Sequence, residues 1–359
     1  MVANFLSSSD LHVSVIILNY NGKKFLKNCF SSLNLTDYPR ECFETIMVDN
    51  GSTDDSVEYV KTNFPWVRIL PLAKNYGYTG GNNRGASCAR GELLVFLNND
   101  TTVEKNWLKQ LAKVMNIDRR IAICGSKIMS MTKPHKAQFA GGFLNLLGSA
   151  IFSSFDKDNS SKDFYYTGSI CGASFMARRS VFENLSGFDE DFFMYSDEND
   201  FCLRVWLSGY LVAYIPSSVV YHFGNAEESG FSSDTNAGLL NARLLSSLTI
   251  YHGNKNSLCS ILKNFCLVNI VSGSFMSIVY FIVQLILLLK AKNLIGTRLL
   301  LAAFLWPLRN LSMILKKRYR IQTKRIVSDQ YLIKNGILLS AGGLVKMFMS
   351  NLIRNDHNS

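Results

Sequence analysis

No two of the eight cysteines form a C-x-x-C pair. They stand at 29, 42, 88, 124, 171, 202, 259 and 266, several within apolar runs. That scatter fits buried, reduced thiols in a cytosolic compartment and argues against a disulfide framework or a zinc site. The opening MVANFLSSSDLH has neither a charged n-region nor an apolar h-region, so no signal peptide is expected. No internal repeat or low-complexity tract is present. Acidic residues almost vanish from the last third: residues 253–359 hold 15 Lys/Arg against Asp329 and Asp356, a net of +13, while residues 1–252 net −2. The overall +11 is thus a property of the C-terminal third. It argues against a nucleic-acid-binding catalytic domain and for a basic, apolar tail facing anionic lipid.

What is present is an alternation of apolar runs and amphipathic stretches. Val13–Leu18, Phe43–Val48, Val67–Leu70, Leu93–Leu97 and Ile121–Cys124 are too short for helices and are bounded by turn residues, so they read as strands. Phe25, Leu26, Cys29 and Leu33 recur at helical spacing, and further helices are expected up to Phe64, over Lys105–Met115 and over Asp197–Leu207. This order implies an α/β, mostly parallel, doubly wound sheet. Residues 127–166 are less periodic and read as a loop-rich insertion, with a polar stretch at Asp156–Asp163, that could flank an acceptor cleft. Thr167–Ala177, Leu211–Ile215 and Val219–Tyr221 read as later strands.

The chemistry is expected at the carboxyl ends of the strands, where open α/β sheets place ligands. Asn98 and Asp100 leave an extended chain on one face. Asp100 either caps the next helix or offers a hard carboxylate to Mg²⁺ or Mn²⁺, with Asn98 as a neutral oxygen. Asp49 ends the second strand, where a carboxylate either accepts from a base or ribose or caps the following helix. Gly77, Gly80, Gly81 and Gly85 do not spell G-x-G-x-x-G and fit a tight turn with a close helix–strand contact. A helix N-terminus there, with Arg84 as counter-charge, suits a diphosphate. In FDEDFFMYSDENDFCLR, Asp200 and Arg204 are spaced for an intrahelical ion pair, and Asp197 serves the helix dipole. Glu198 has no such local partner, and burial beside Asp197 would raise its pKa towards that of a general base. His222, at a strand end, either completes a metal shell or is structural.

Together, VSVIILNYNG, IMVDNGSTDDS, KNYGYTGGNNRG, LVFLNND, TGSICGASFMARR, GFDEDFFMYSDENDFCLR and VVYHFGN resemble family 2 glycosyltransferases of the GT-A fold, in the rhamnosyltransferase-like branch. The resemblance covers about residues 12–225 in order. It implies a Rossmann-like catalytic domain over residues 1–250. Asp49 then contacts the nucleobase, Asn50, Gly51 and Ser52 help line its pocket, and Asn19, Gly80, Gly81, Arg84, Asn98 and Asn99 join the donor-binding set. Asn98-Asn99-Asp100 occupies the D-x-D-like position, so Asp100 becomes a metal ligand, with His222 beside it. Asp197-Glu198 stands where the family carries Glu-Asp, and the base falls on Glu198. The Q-x-x-R-W motif of processive synthases is absent, which favours one sugar per encounter.

The implied reaction is inverting transfer from a nucleotide sugar to a lipid-linked or cell-surface glycan acceptor. A polyprenyl-phosphate sugar synthase and a catalytically silent nucleotide-sugar-binding membrane subunit are the alternatives. Asn264–Leu289 is 26 residues without a charge, enough to span a bilayer. A single span would strand the basic block Lys316–Arg325 outside, a hairpin would put Lys290 and Lys292 in the outer turn, and a third option is helices lying in the cytoplasmic interface; spanning is left open, and a helical bundle packed on the catalytic domain is the alternative. The expectation is an all-α apolar, membrane-associated region over 251–325 and a basic tail over 326–359, at the cytoplasmic face of the cell membrane.

Overall fold

A computed structural model describes residues 12–152, 162–224 and 246–346. The first expected turns of the chain are present: β1 (Val13–Asn19), α1 (Lys23–Asn34), β2 (Phe43–Asp49), α2 (Ser56–Asn63), β3 (Arg68–Pro71) and α3 (Gly77–Cys88). Next come β4 (Leu93–Asn98), a short β5 (Thr101–Val103), α4 (Trp107–Ile117) and β6 (Ile121–Ser130). The apolar runs explain the strands. Val15, Ile16 and Ile17 of β1 and Leu94, Val95 and Phe96 of β4 are fully buried, so both sheet faces are covered, as central parallel strands require. Each such side chain contributes roughly 1.5–3 kcal/mol.

Residues 127–166 are more regular than their sequence suggests. β6 runs on to Ser130, and β7 (Ala137–Phe139), β8 (Gly142–Asn145), β9 (Ala150–Phe152) and β10 (Tyr165–Tyr166) follow. Strands of two to four residues are too short to show a period. Most of the polar stretch Asp156–Asp163 lies outside the described residues. Of Thr167–Ala177, only the end is strand: β11 (Ser174–Arg178) precedes α5 (Arg179–Asn184) and α6 (Asp197–Leu207). The two later runs merge into β12 (Leu211–His222), whose register shifts between Ile215 and Val219, where Pro216 cannot serve the ladder.

The main sheet has the order β10-β12-β6-β11-β4-β1-β2-β3. β3, β2, β1 and β4 are mutually parallel, as are β6 and β12, but β11 runs antiparallel to both β4 and β6. The sheet is therefore mixed. β11 enters from the carboxyl rim and runs back down, and this reversal brings the segment before it, Ser169–Ala173, to that rim.

Helices α7 (Asn254–Asn264), α8 (Leu267–Lys290), α9 (Leu294–Arg309) and α10 (Leu311–Thr323) form the C-terminal layer, with a π-helical turn, Thr249–Gly253, leading into it. Among the described residues, α8 alone is long and apolar enough to cross a membrane by itself, and α9 with α10, bent by 65°, passes the same test as a pair. The chain then returns to the sheet domain. The amides of Ile326 and Val327 donate to Leu207 O, α11 (Asp329–Lys334) follows, and β13 (Leu338–Leu339) pairs in parallel with β8.

Candidate active site

β1, β2 and β4 end level: Asn19 is opposite Asp49, and Leu18 opposite Asn98. Past the last ladder bond their polar side chains bind one another. Asn19 Nδ2 donates to Asp49 Oδ1 and Ser52 Oγ, both at 3.2 Å, and Asn19 Oδ1 accepts from Asn99 Nδ2 at 2.7 Å. The Ser52 amide donates to Asp49 Oδ2 at 3.1 Å. Asn50 turns the other way. Its Nδ2 donates to Asn75 Oδ1 and Gly77 O, and its Oδ1 accepts from the Tyr76 amide, so it holds the turn into α3. Gly51, at φ +79°, lies where a Cβ would stand 2.8 Å from Lys74 Cα, so only glycine lets the two loops touch.

Asp100 Oδ1 lies 3.2 Å from His222 Nε2, and Asn98 Nδ2 lies 3.4 Å from the same nitrogen. The pairing of β5 with β12, Thr101 opposite His222, sets this distance. Gln138 fixes the ring. Its Nε2 donates to Gly224 O at 2.9 Å, so its Oε1 must accept from His222 Nδ1, 3.1 Å away. In the neutral ring the proton then sits on Nδ1, which leaves the Nε2 lone pair towards Asp100 Oδ1. Two acceptors so placed fit a divalent cation such as Mg²⁺ or Mn²⁺. Among the described residues no three His, Cys, Asp or Glu side chains cluster as a metal site, so further ligands would come from water or a bound diphosphate.

The other half of the site comes from Ser169–Ala173 and the start of α6. The Asn98 amide donates to Ala173 O at 3.0 Å, and the Tyr78 hydroxyl to Gly172 O at 2.8 Å. Burial, then the carboxylates of Glu198 and Asp100, push the Cys171 thiol up to about 12. A Cβ on Gly172 would stand 4.0 Å from Glu198 Cδ. Asp100 and Glu198 therefore both lie near one short segment. Asp197 is 3% exposed, and its Oδ2 has no hydrogen-bond partner among the described residues. Burial and then Glu198 raise the Asp197 pKa, while burial raises Glu198 to about 7. Asp200 is different in kind. Arg204 Nε at 2.8 Å, Lys263 Nζ at 3.1 Å and Asn264 Nδ2 at 2.7 Å surround it. Burial alone would raise its pKa, but Lys263 and Arg204 prevail and hold it low.

Arg84 stands apart from this group. Its guanidinium lies over the Tyr76 ring at 3.8 Å and pairs with Glu190 at 3.3 Å. The Gly80 carbonyl accepts from Arg84 at 2.7 Å, and Gly81 lets α3 approach β1, since a Cβ there would meet Leu18 Cδ1 at 2.3 Å. Three contributors escape sequence reasoning: Tyr78, Gln138 and the Cys171-Gly172 segment. Tyr78 lies inside a recognisable run, but its hydroxyl gains meaning only through Gly172, and Gln138 lies in a stretch with no period at all.

Residues 14–186 match the family described as "Glycosyl transferase family 2". The chain is similar to N-acetylgalactosaminyltransferase 6 of Drosophila melanogaster, 26% identical over 228 residues, which is 58% of this chain and 34% of that protein. The match therefore spans only about a third of that relative. It is also similar to the N-acetylglucosaminyl-diphospho-decaprenol L-rhamnosyltransferase of Mycobacterium tuberculosis, 24% identical over 233 residues, 58% of this chain and 75% of that one. In structure it is similar to mannosyltransferase PcManGT of Pyrobaculum calidifontis, solved with GDP-Man and Mn²⁺, at TM-score 0.53 and 16% identity over 88% of this chain and 86% of that one. The fold is a mixed, mostly parallel α/β sheet of GT-A type followed by a C-terminal helical region.

Proposed function

This chain belongs to glycosyl transferase family 2 through residues 14–186, and on that premise we propose that it transfers one sugar, with inversion, from a nucleoside-diphosphate sugar to a hydroxyl of a lipid-linked or cell-surface glycan. The observation that carries the reading is that Asp100 and Glu198, which are far apart in sequence, both lie near Cys171-Gly172. Asp49, fixed by Asn19 and Ser52, accepts from the donor base or ribose. Asp100 and His222 would hold Mg²⁺ or Mn²⁺, which neutralises charge on the departing diphosphate when bound. Glu198, with a pKa near neutrality, takes the proton from the acceptor hydroxyl. Asp197, buried behind it, favours the state in which the pair carries one proton and so keeps Glu198 poised. Tyr78 holds the Gly172 carbonyl and with it the spacing between the two carboxylates.

We assign the C-terminal layer to the cytoplasmic membrane surface, lying in the interface. Gly273, Ser277, Gln284 and Leu288 of α8 are buried against the protein, and a Cβ on Gly273 would meet Leu146 O at 2.5 Å. The first half of α8 thus packs on the water-facing domain and its end, through Leu288, on Ile250 and Leu300 of the same helical layer, which leaves one side for lipid.

The test is a donor screen with UDP-, dTDP- and GDP-sugars plus divalent cation, read by nucleotide release, on the native chain and on Glu198→Gln. Release that depends on both the cation and Glu198 is expected. Cation-dependent transfer that ignores Glu198 would point to an acceptor that is already anionic, such as a polyprenyl phosphate. No release with any donor would leave a silent binding subunit.

A further inference from the structure

The segment that delivers Asp197 and Glu198 is held in a conformation that side chains resist. Phe193, Tyr195 and Ser196 have φ of 63°, 70° and 59°, and none is glycine. Phe193, with ψ −56°, is the centre of a γ-turn of the rare positive-φ kind, closed by the Met194 amide on Phe192 O at 2.7 Å. Such a residue is strained and persists only where its surroundings over-determine it. Glu198 follows two residues after Ser196.

What over-determines it is one face of the C-terminal layer. Asn256 is fully buried, and its single Nδ2 donates to three carbonyls of the segment: Phe192 O at 3.0 Å, Met194 O at 2.8 Å and Tyr195 O at 2.8 Å. One helical turn earlier, His252 Nδ1 lies 3.1 Å from Phe192 O, and its ring stacks on Phe193 at 5.3 Å between centroids. Burial first, then Lys255, lower the His252 pKa to about 4, so at neutral pH the ring is uncharged and Nδ1–H is its donor. The Lys255 ammonium caps Asp191 O, and those of Lys263 and Lys317 converge on Asp189 where the segment begins. From the donor side, the Thr79 amide of α3 donates to Phe193 O at 3.2 Å.

We propose that Asn256 is a positioning residue: by gathering three carbonyls on one amide, it keeps Phe192–Ser196 in the strained form that presents Glu198 to the acceptor. The C-terminal layer is then part of the catalytic machinery as well as a membrane contact. This rests on the assignment of Glu198 as the base. Asn256 touches no reacting atom and acts only through the backbone.

Asn256→Asp keeps size and shape but replaces the donating amide with a carboxylate facing three carbonyls, and Asn256→Ser keeps one short donor. Using the full chain with divalent cation, kcat is expected to fall about a hundredfold in Asn256→Asp, the scale of an ångström of misplacement, and less in Asn256→Ser. The donor KM should stay within about twofold, because the rim residues that bind the nucleotide are untouched. The acid limb of kcat/KM should move to lower pH. Asp197, the Tyr78 hydroxyl and the Cys171 thiol face Glu198, and a relaxed segment lets water in among them. Unchanged kcat and pH profile in Asn256→Asp would overturn the proposal. So would a loss of turnover accompanied by loss of donor affinity in both variants, which marks a folding role. A native chain whose turnover ignores Glu198→Gln would overturn the underlying assignment instead.

Discussion

In the sheet domain Val15, Ile16, Ile17, Leu94, Val95 and Phe96 are fully buried, and polar residues collect at the rim. In the C-terminal layer polar residues share the buried face and apolar ones the exposed face. Lys255, Asn256, Lys263 and Asn264 are buried, while Leu267, Val268, Val271 and Phe275 are 67–74% exposed. A core built on apolar burial is indifferent to its neighbours' chemistry. The inner face of this layer adds ionic groups to the apolar Ile261 and Phe265, and those groups fit only one surface, here the acidic segment from Asp189 to Asp200, because unpaired buried charge costs several kcal/mol per ion. Its outer face, in turn, is out of place in water. The layer thus joins the strained segment Phe192–Ser196 on one side to an exposed apolar face on the other.

The contrast can be broken at three points. The largest effect is expected at the rim. Glu198→Gln should lower turnover by roughly 10²–10⁴, measured as nucleotide release. The same change should leave stability at pH 8 equal or higher. Burial raises the folded-state pKa of Glu198 above the unfolded value, so the folded protein loses stability as pH rises between them, and above about 7 the full cost is present. A fall in Tm at pH 8 would contradict that account. Next, Gln138→Leu removes the acceptor that holds the proton on His222 Nδ1. Mn²⁺ affinity with donor nucleotide present should weaken about 10–100-fold by equilibrium dialysis, and an unchanged affinity would separate Gln138 from the metal site. The smallest effect on chemistry belongs to the outer face. Val271→Glu with Phe275→Glu should cut binding to anionic phosphatidylglycerol vesicles by at least about tenfold, since burying each side chain is worth roughly 1.5–3 kcal/mol. Turnover on a water-soluble acceptor should stay within about twofold. If vesicle binding is unaltered, the exposed face of α8 is not what meets lipid.

Much of this is legible in the order of the residues alone. The bounds of α6 are the expected ones, and the Asp200–Arg204 pair forms as the i,i+4 spacing predicts, because both depend on residues one or two turns apart. Asp49, Asn98 and Asp100 could be named because each ends an apolar run. The reversed β11 was not legible, since a buried strand looks alike in either direction. Neither were β7 to β10, whose lengths fall below any period. Arg84 shows the limit from the other side. A guanidinium two turns into a helix suits a phosphate on charge alone, and its pairing with Glu190, 106 residues away, leaves no local trace in the sequence.

By itself the sequence determined the strands, their polar ends and the reversal of charge towards the C-terminus, because burial and termination are properties of a few neighbouring residues. Only the tertiary structure decided which oxygens and nitrogens meet. His222 reaches Asn98 across 124 positions and Asn256 reaches Phe192 across 64, and such encounters follow from how layers pack rather than from any local preference.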